Sequence, residues 1–182
     1  VTDSLSNLAS GGNTDADFDV ITGDDGTVAV NIDDDKFETT SATITSADLR
    51  AVGAATTGQV SIAKAVKITG VASDLTNTLV SGTKTVSAGA ALVAITDDKF
   101  DTTSATIAAT ALSAIGGKTT GQVSIAKAVK ITGAASDVTA ALVSGTKTVS
   151  AGIALVDITD DKFETTSATI AATALSAIGG KT

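Results

Sequence analysis

Residues 56–118 and 119–181 align without a gap and are identical at 56 of 63 positions. A chain that repeats one passage in succession must fold it so that a neighbouring copy can complete it. The differences are Val71/Ala134, Leu75/Val138, Asn77/Ala140, Thr78/Ala141, Ala90/Ile153, Ala94/Asp157 and Asp101/Glu164. Phe37, Phe100 and Phe163 fall on the same period. A diverged partial copy occupies 33–55, and upstream of it the register is lost. The division read from this is an irregular or capping region at 1–32 followed by 63-residue repeats over 33–182.

Each repeat divides again. Glycines end apolar runs at Gly53, Gly82, Gly116, Gly145 and Gly179, at spacings of 29 and 34. Each is preceded by a short helical pattern. In "SDVTAALVSG", Val138, Leu142 and Val143 share a face, Ser136 or Asp137 is placed to cap the start, and Gly145 suits the stop. In "TSATIAATALSAIGG" the stripe is Ile170, Ala174, Leu175 and Ile178. Helices of two or three turns do not stand alone in water, so packing must hold them.

Between helices the period changes to two. "GQVSIAKAVKITG" sets Val123, Ile125, Val129 and Ile131 on one parity, with Lys127 among them. A corner near 126–128 lets Lys127 escape the buried face and splits the run into two strands. In "TVSAGIALVDIT" Val156 and Ile158 share a face, and Asp157 lies opposite, where the other copy has Ala94. One coil therefore reads as strand, corner, strand, short helix, glycine. The fold class expected is an α/β repeat solenoid, with stacked coils of short parallel strands and one short helix each. Paired strands sit about 4.8 Å apart and packed helices about 8–10 Å apart. Helices alternating between two faces of the stack would reconcile the two spacings.

Composition suits such a thin, regular core. There is no Cys, His, Met, Trp, Tyr or Pro, and only four Phe, yet 43% of the chain is apolar. Burial must rest on Ala, Val, Ile and Leu rather than on aromatic bulk. The opening "VTDSLSNLASGG" reads as a further short helix with a glycine stop, and "TGDDGT" as a hairpin turn between strands "FDVI" and "VAVNI". The chain starts at Val and breaks off at "GGKT", where the other copies run on into "TGQVSIAK". The expectation is a start that is processed or truncated and a parent chain that continues.

The phrases at 1–12, 68–82 ("ITGVASDLTNTLVSG") and 131–145 ("ITGAASDVTAALVSG") resemble the Thr/Ala/Asp-rich tandem arrays of giant secreted surface or filament proteins of marine bacteria and cyanobacteria. The resemblance carries no catalytic signature. It implies an extracellular or cell-surface component of a filament or matrix, in calcium-rich surroundings.

The net charge of −8 and the single Arg50 speak against nucleic acid, whose phosphates need clustered cations. No apolar run approaches the roughly 20 residues needed for membrane insertion. Without His or Cys, nucleophilic triads and thiol chemistry are largely out of reach. "GGKTTG" at 116–121 fails as a phosphate loop, because Leu112 stands where a Gly is required. Calcium is the cofactor left open, with Asp15, Asp17, Asp19, Asp24, Asp25, Asp33 and Asp35 as candidate ligands. "DADFDVITGDDG" is no EF-hand loop, since Val20 and Gly26 occupy its sixth and twelfth places. The recurring Asp-Asp-Lys turn reads as solvated, with Lys99 or Lys162 pairing locally. The Thr-rich "TTSAT" and "TKT" stretches offer hydroxyls either to solvent or to ice, a surface or glycans. The reading is a non-enzymatic structural segment that stacks end to end with copies of itself or with further repeats. A Ca²⁺-supported adhesin is the other.

Overall fold

The computed structural model describes residues 1–34, 43–81, 86–98, 105–125, 127–145, 149–160 and 170–182. The period-two runs become strands and the Ala-rich stripes become helices, giving an α/β fold with several parallel sheets. First in the chain come β1 (Thr2–Asp3), α1 (Leu5–Leu8), β2 (Ala9–Ser10), β3 (Asn13–Thr14), α2 (Ala16–Asp24) and β4 (Val30–Ile32). Next come β5 (Thr43–Thr45), α3 (Ser46–Ala55), β6 (Val60–Ile62), β7 (Lys67–Gly70), α4 (Ala72–Thr76), β8 (Val86–Ser87) and β9 (Leu92–Ile95). The same order then recurs one period on, as β10 (Thr106–Ala108), α5 (Ala109–Gly116), β11 (Val123–Ile125), β12 (Lys130–Gly133), α6 (Ala135–Thr139), β13 (Val149–Ser150) and β14 (Leu155–Ile158). Helix α7 (Ala172–Gly179) follows, and π-helical turns at Asn77–Ser81 and Ala140–Ser144 extend α4 and α6.

Three sheets are parallel throughout. They run β1-β4-β6-β8, then β5-β7-β9-β11-β13, then β10-β12-β14. The middle sheet draws β5 from the partial copy at 33–55, β7 and β9 from 56–118, and β11 and β13 from 119–181. Strand β9 joins two successive copies, bonding to β7 on one edge and β11 on the other. Register places Ile44, Ile68, Val93, Val123 and Val149 opposite one another in turn, all of them buried. Thr45, Thr69, Ala94, Ser124 and Ser150 form the row beside it, facing the other way. Burying each large aliphatic chain of the inner row contributes about 1.5–3 kcal/mol. The corner between β11 and β12 does release Lys127 to solvent, while Val129 and Ile131 return to the core.

The helices do not alternate between two faces. Helix α3 packs against α4 and its π turn, α4 against α5, α5 against α6 and its π turn, and α6 against α7. Every helix in this run touches the next, which helices on opposite sides of a β core could not do. After α4, β10 opens a new sheet instead of adding to the old one.

Four local expectations are corrected. "FDVI" lies in α2, because Asp15 caps a helix there, and its Phe18 is buried. The hairpin sits upstream, between β2 and β3, where Gly11 and Gly12 take φ of 61° and 80°. Gly53 lies buried inside α3, and Gly145 follows a π turn with φ −68°, outside the left-handed region. The first turn of α6 has no side-chain cap from Ser136 or Asp137. Gly82 and Phe37, Phe100 and Phe163 lie outside the described residues.

Two glycines are dictated by close approach. A Cβ on Gly58 would overlap the Val28 carbonyl, and one on Gly121 the Ala91 carbonyl. Gly179, by contrast, has open space around it. Gly121→Ala is expected to destabilise the chain by about 1–3 kcal/mol in urea unfolding. Gly179→Ala is expected to be neutral or stabilising by up to about 1 kcal/mol. Equal effects would contradict the close coil-to-coil approach at Gly121.

Candidate functional site

The side chains with most to do are those that join one coil to another. A helix start leaves backbone N–H groups without intrahelical partners. Ala134 and Val71 precede α6 and α4 and have no side-chain acceptor to offer. The acceptor arrives from the next strand. Asp160, just past β14, receives the Ala135 N–H at 2.5 Å, and Asp97, just past β9, receives that of Ala72 at 2.6 Å. Asp34 does the same for Leu5 at 2.6 Å. The three carboxylates fall on the 63-residue period, so each copy makes the same clamp. A carboxylate at a helix N-terminus also meets the positive end of the helix dipole.

Threonine makes a second clamp. The Thr119 hydroxyl donates to the Ala91 carbonyl and accepts the Gly121 N–H at 2.9 Å. Thr56 repeats this with Val28 and Gly58. Both threonines are buried, so their bonding matters more than it would at the surface. Ion pairs also cross between coils: Lys127 with Asp98 at 2.5 Å, Lys130 with Asp157 at 2.7 Å, and Arg50 with Asp74 at 3.6 Å. All three are substantially exposed, and such pairs contribute about 0–1 kcal/mol.

The Asp-Asp-Lys turn is thus more than a solvated loop. Its first Asp caps a helix one coil back, and Asp98 binds Lys127. Lys99 and Lys162, the partners expected locally, lie outside the described residues. The cap escaped sequence reading because donor and acceptor stand 25 residues apart in both copies. Its one signal was an Asp recurring just past the same strand in every period.

The candidate calcium ligands are spread along the N-terminal region. Asp15 caps α2 through the Asp17 N–H at 3.0 Å, and Asp17 and Asp19 lie in that helix's first turn. Asp24 ends the helix. Asp25 accepts the Thr27 hydroxyl and N–H, and these bonds hold its carboxyl below the usual carboxylate range. The Asp33 N–H donates to the Asp3 backbone carbonyl, and Asp35 lies outside the described residues. Among the described residues no three acidic side chains come together as a metal group.

The "TKT" stretches and most of "TTSAT" lie outside the described residues. Where threonines of these runs are described, Thr43 stands opposite Lys67 and Thr106 opposite Lys130. The cleft beside α4 is lined by Ala72, Ser73, Thr76, Asn77 and Ala108, and Asp97, the carboxylate among its described lining residues, already holds the Ala72 N–H. Among the described residues no helix is long and apolar enough to cross a membrane. No family model, curated protein or solved structure matches the chain.

Asp97→Ala is expected to lower stability by about 0.5–2 kcal/mol, the usual effect of losing an N-cap acceptor. Asp98→Ala, which removes the exposed pair with Lys127, is expected to cost about 0–1 kcal/mol. Urea titration of both variants checks this. An Asp98→Ala effect larger than that of Asp97→Ala would contradict the capping role.

Proposed function

We propose that the chain is a non-enzymatic structural segment of an extracellular fibre or giant cell-surface protein. It is an α/β repeat solenoid whose coils stack end to end. The observation that carries this reading is β9, which is hydrogen-bonded into two successive periods at once. A strand used in this way makes each copy part of its neighbour's sheet. Tension along the stack is then shared among many ladder hydrogen bonds and a continuous aliphatic core.

The ends of the stack favour extension. Among the described residues the parallel sheets end in β1, β5, β8, β10, β13 and β14, each paired on one edge only, and β1 and β14 are the first and last of these along the chain. Edge strands with unpaired backbone groups are templates for further pairing. A contact between the β14 end of one chain and the β1 end of another is heterologous and does not close, the geometry that produces filaments. The clamps of Asp34, Asp97 and Asp160 recur with the period, as the joints of a structural array would.

Negative-stain microscopy of the purified chain at rising concentration is the test. The expected result is rods longer than one chain, with length and melting temperature unchanged by EDTA. Particles of single-chain length at every concentration would overturn the fibre reading. Loss of stability on chelation would favour a Ca²⁺-supported adhesin instead.

A further inference from the structure

The surface around β14 and α7 is built differently from its own internal copy. The segments 109–116 and 172–179 have the same sequence, "ATALSAIG". Leu112 is nevertheless 0% exposed and Leu175 45%. Ala109 is buried and Ala172 exposed. The same holds for the strands: Val93 and Ile95 are fully buried, whereas Val156 and Ile158 are half-buried and Leu155 is 52% exposed. Identical residues differ here only in what lies over them.

The internal copy shows what that cover is. Strand β11 pairs with the outer edge of β9, β13 pairs with β11, and α6 with its π turn lies against α5. All of these come from residues 119–150. We propose that the β14–α7 face is the docking surface for a further copy of the 63-residue repeat, deepening the stacking reading above, on which it rests. The incoming copy adds its Gln-Val-Ser-Ile segment parallel to β14. Register follows from the internal pairs Val93–Val123, Ala94–Ser124 and Ile95–Ile125. The incoming Val, Ser and Ile therefore stand opposite Val156, Asp157 and Ile158, and the next helix covers Leu175.

Two further features fit this occupant. The Val93 N–H donates to the Gln122 carbonyl at 2.8 Å, so the Val156 N–H at the matching place points to the open edge. Gly89, with φ 53°, turns its carbonyl toward the Thr120 N–H at 2.9 Å, and Gly152 holds the same turn at φ 60°. A second whole chain does not fit in this way. Its Val60–Ile62 strand is paired with β4 and β8, and its Val123–Ile125 strand with β9 and β13. Such a chain could offer that segment only by strand exchange.

The test lengthens the full chain by repeating residues 120–182 after Thr182 and compares backbone hydrogen exchange in the two proteins. Val156 and Ile158 amides are expected to exchange about 100-fold more slowly in the longer chain, approaching Val93 and Ile95. Leu175→Asp in the longer chain, at a position exposed in the shorter one, is expected to return both amides toward their open-edge rates. Unchanged exchange at Val156 and Ile158 overturns the proposal, as does an added segment that stays unfolded. Rod formation by the 182-residue chain reads a different contact, β14 against another chain's β1, so its failure would leave a slowed Val156 amide standing.

Discussion

The structure depends on the hydrogen bonding of β9 along both edges. One edge closes the set formed with β5 and β7, and the other opens the set formed with β11 and β13. Without that double use, the chain would be a string of units too small to bury their own apolar faces. Helix α6 has five α-helical residues before its π turn, a length that does not persist in isolation. Val138 and Leu142 are buried because the coils on either side are already in place. The aliphatic row from Ile44 to Val149 packs with helix residues such as Leu49, Leu75 and Leu112 in one cluster, and this is how a chain without Trp, Tyr or Met builds a core.

Differences between the copies obey the same geometry. Where Ala94 becomes Asp157, the ladder partner is Thr132, and Lys130, two residues before it on the same side of that strand, reaches the new carboxylate. Ser46 and Thr78 pack together, with the Thr78 hydroxyl donating to the Ser46 carbonyl at 3.1 Å. One period on, both positions are alanine, Ala109 and Ala141, and both are fully buried. A polar contact and an apolar one thus fill the same site, each complete in itself. The acceptor is a backbone carbonyl that Ala109 keeps, so the exchange removes a hydroxyl donor and leaves no side-chain polar group behind without its partner.

Much of this was legible in the sequence because it is local or periodic. The alternation at Val123, Ile125, Val129 and Ile131 marked two strands and a corner, and the Leu112/Leu175 stripes marked helices, although Ile170, expected to open its stripe, precedes α7 and its counterpart Ile107 lies in β10. The features that were not legible depend on partners far along the chain. The helix caps at Ala72 and Ala135 come from a strand in the next coil, so local cap rules named Ser136 and Asp137 instead. Helix α2 was read as a strand because "FDVI" shows alternation over only four residues, while the cap from Asp15 and burial of Phe18 favour a helix. No single residue announces the opening of a new sheet at β10. Among the candidate ligands, Asp15 and Asp25 look alike in composition, yet each is engaged by nearby backbone N–H groups in its own turn.

The central claim, that successive periods share one sheet in a fixed register, is open to direct chemical measurement because the chain has no cysteine of its own. Ala94 and Ser124 stand opposite each other on neighbouring strands, and Ala94 and Ser150 are two strands apart. Adjacent positions about 4.8 Å apart lie within disulfide reach, and positions twice as far apart lie beyond it. Mild oxidation of the Ala94→Cys, Ser124→Cys variant is expected to give an intramolecular disulfide in nearly all molecules, and the Ala94→Cys, Ser150→Cys variant almost none. No disulfide in the first variant, or equal yields in the two, would contradict the shared sheet.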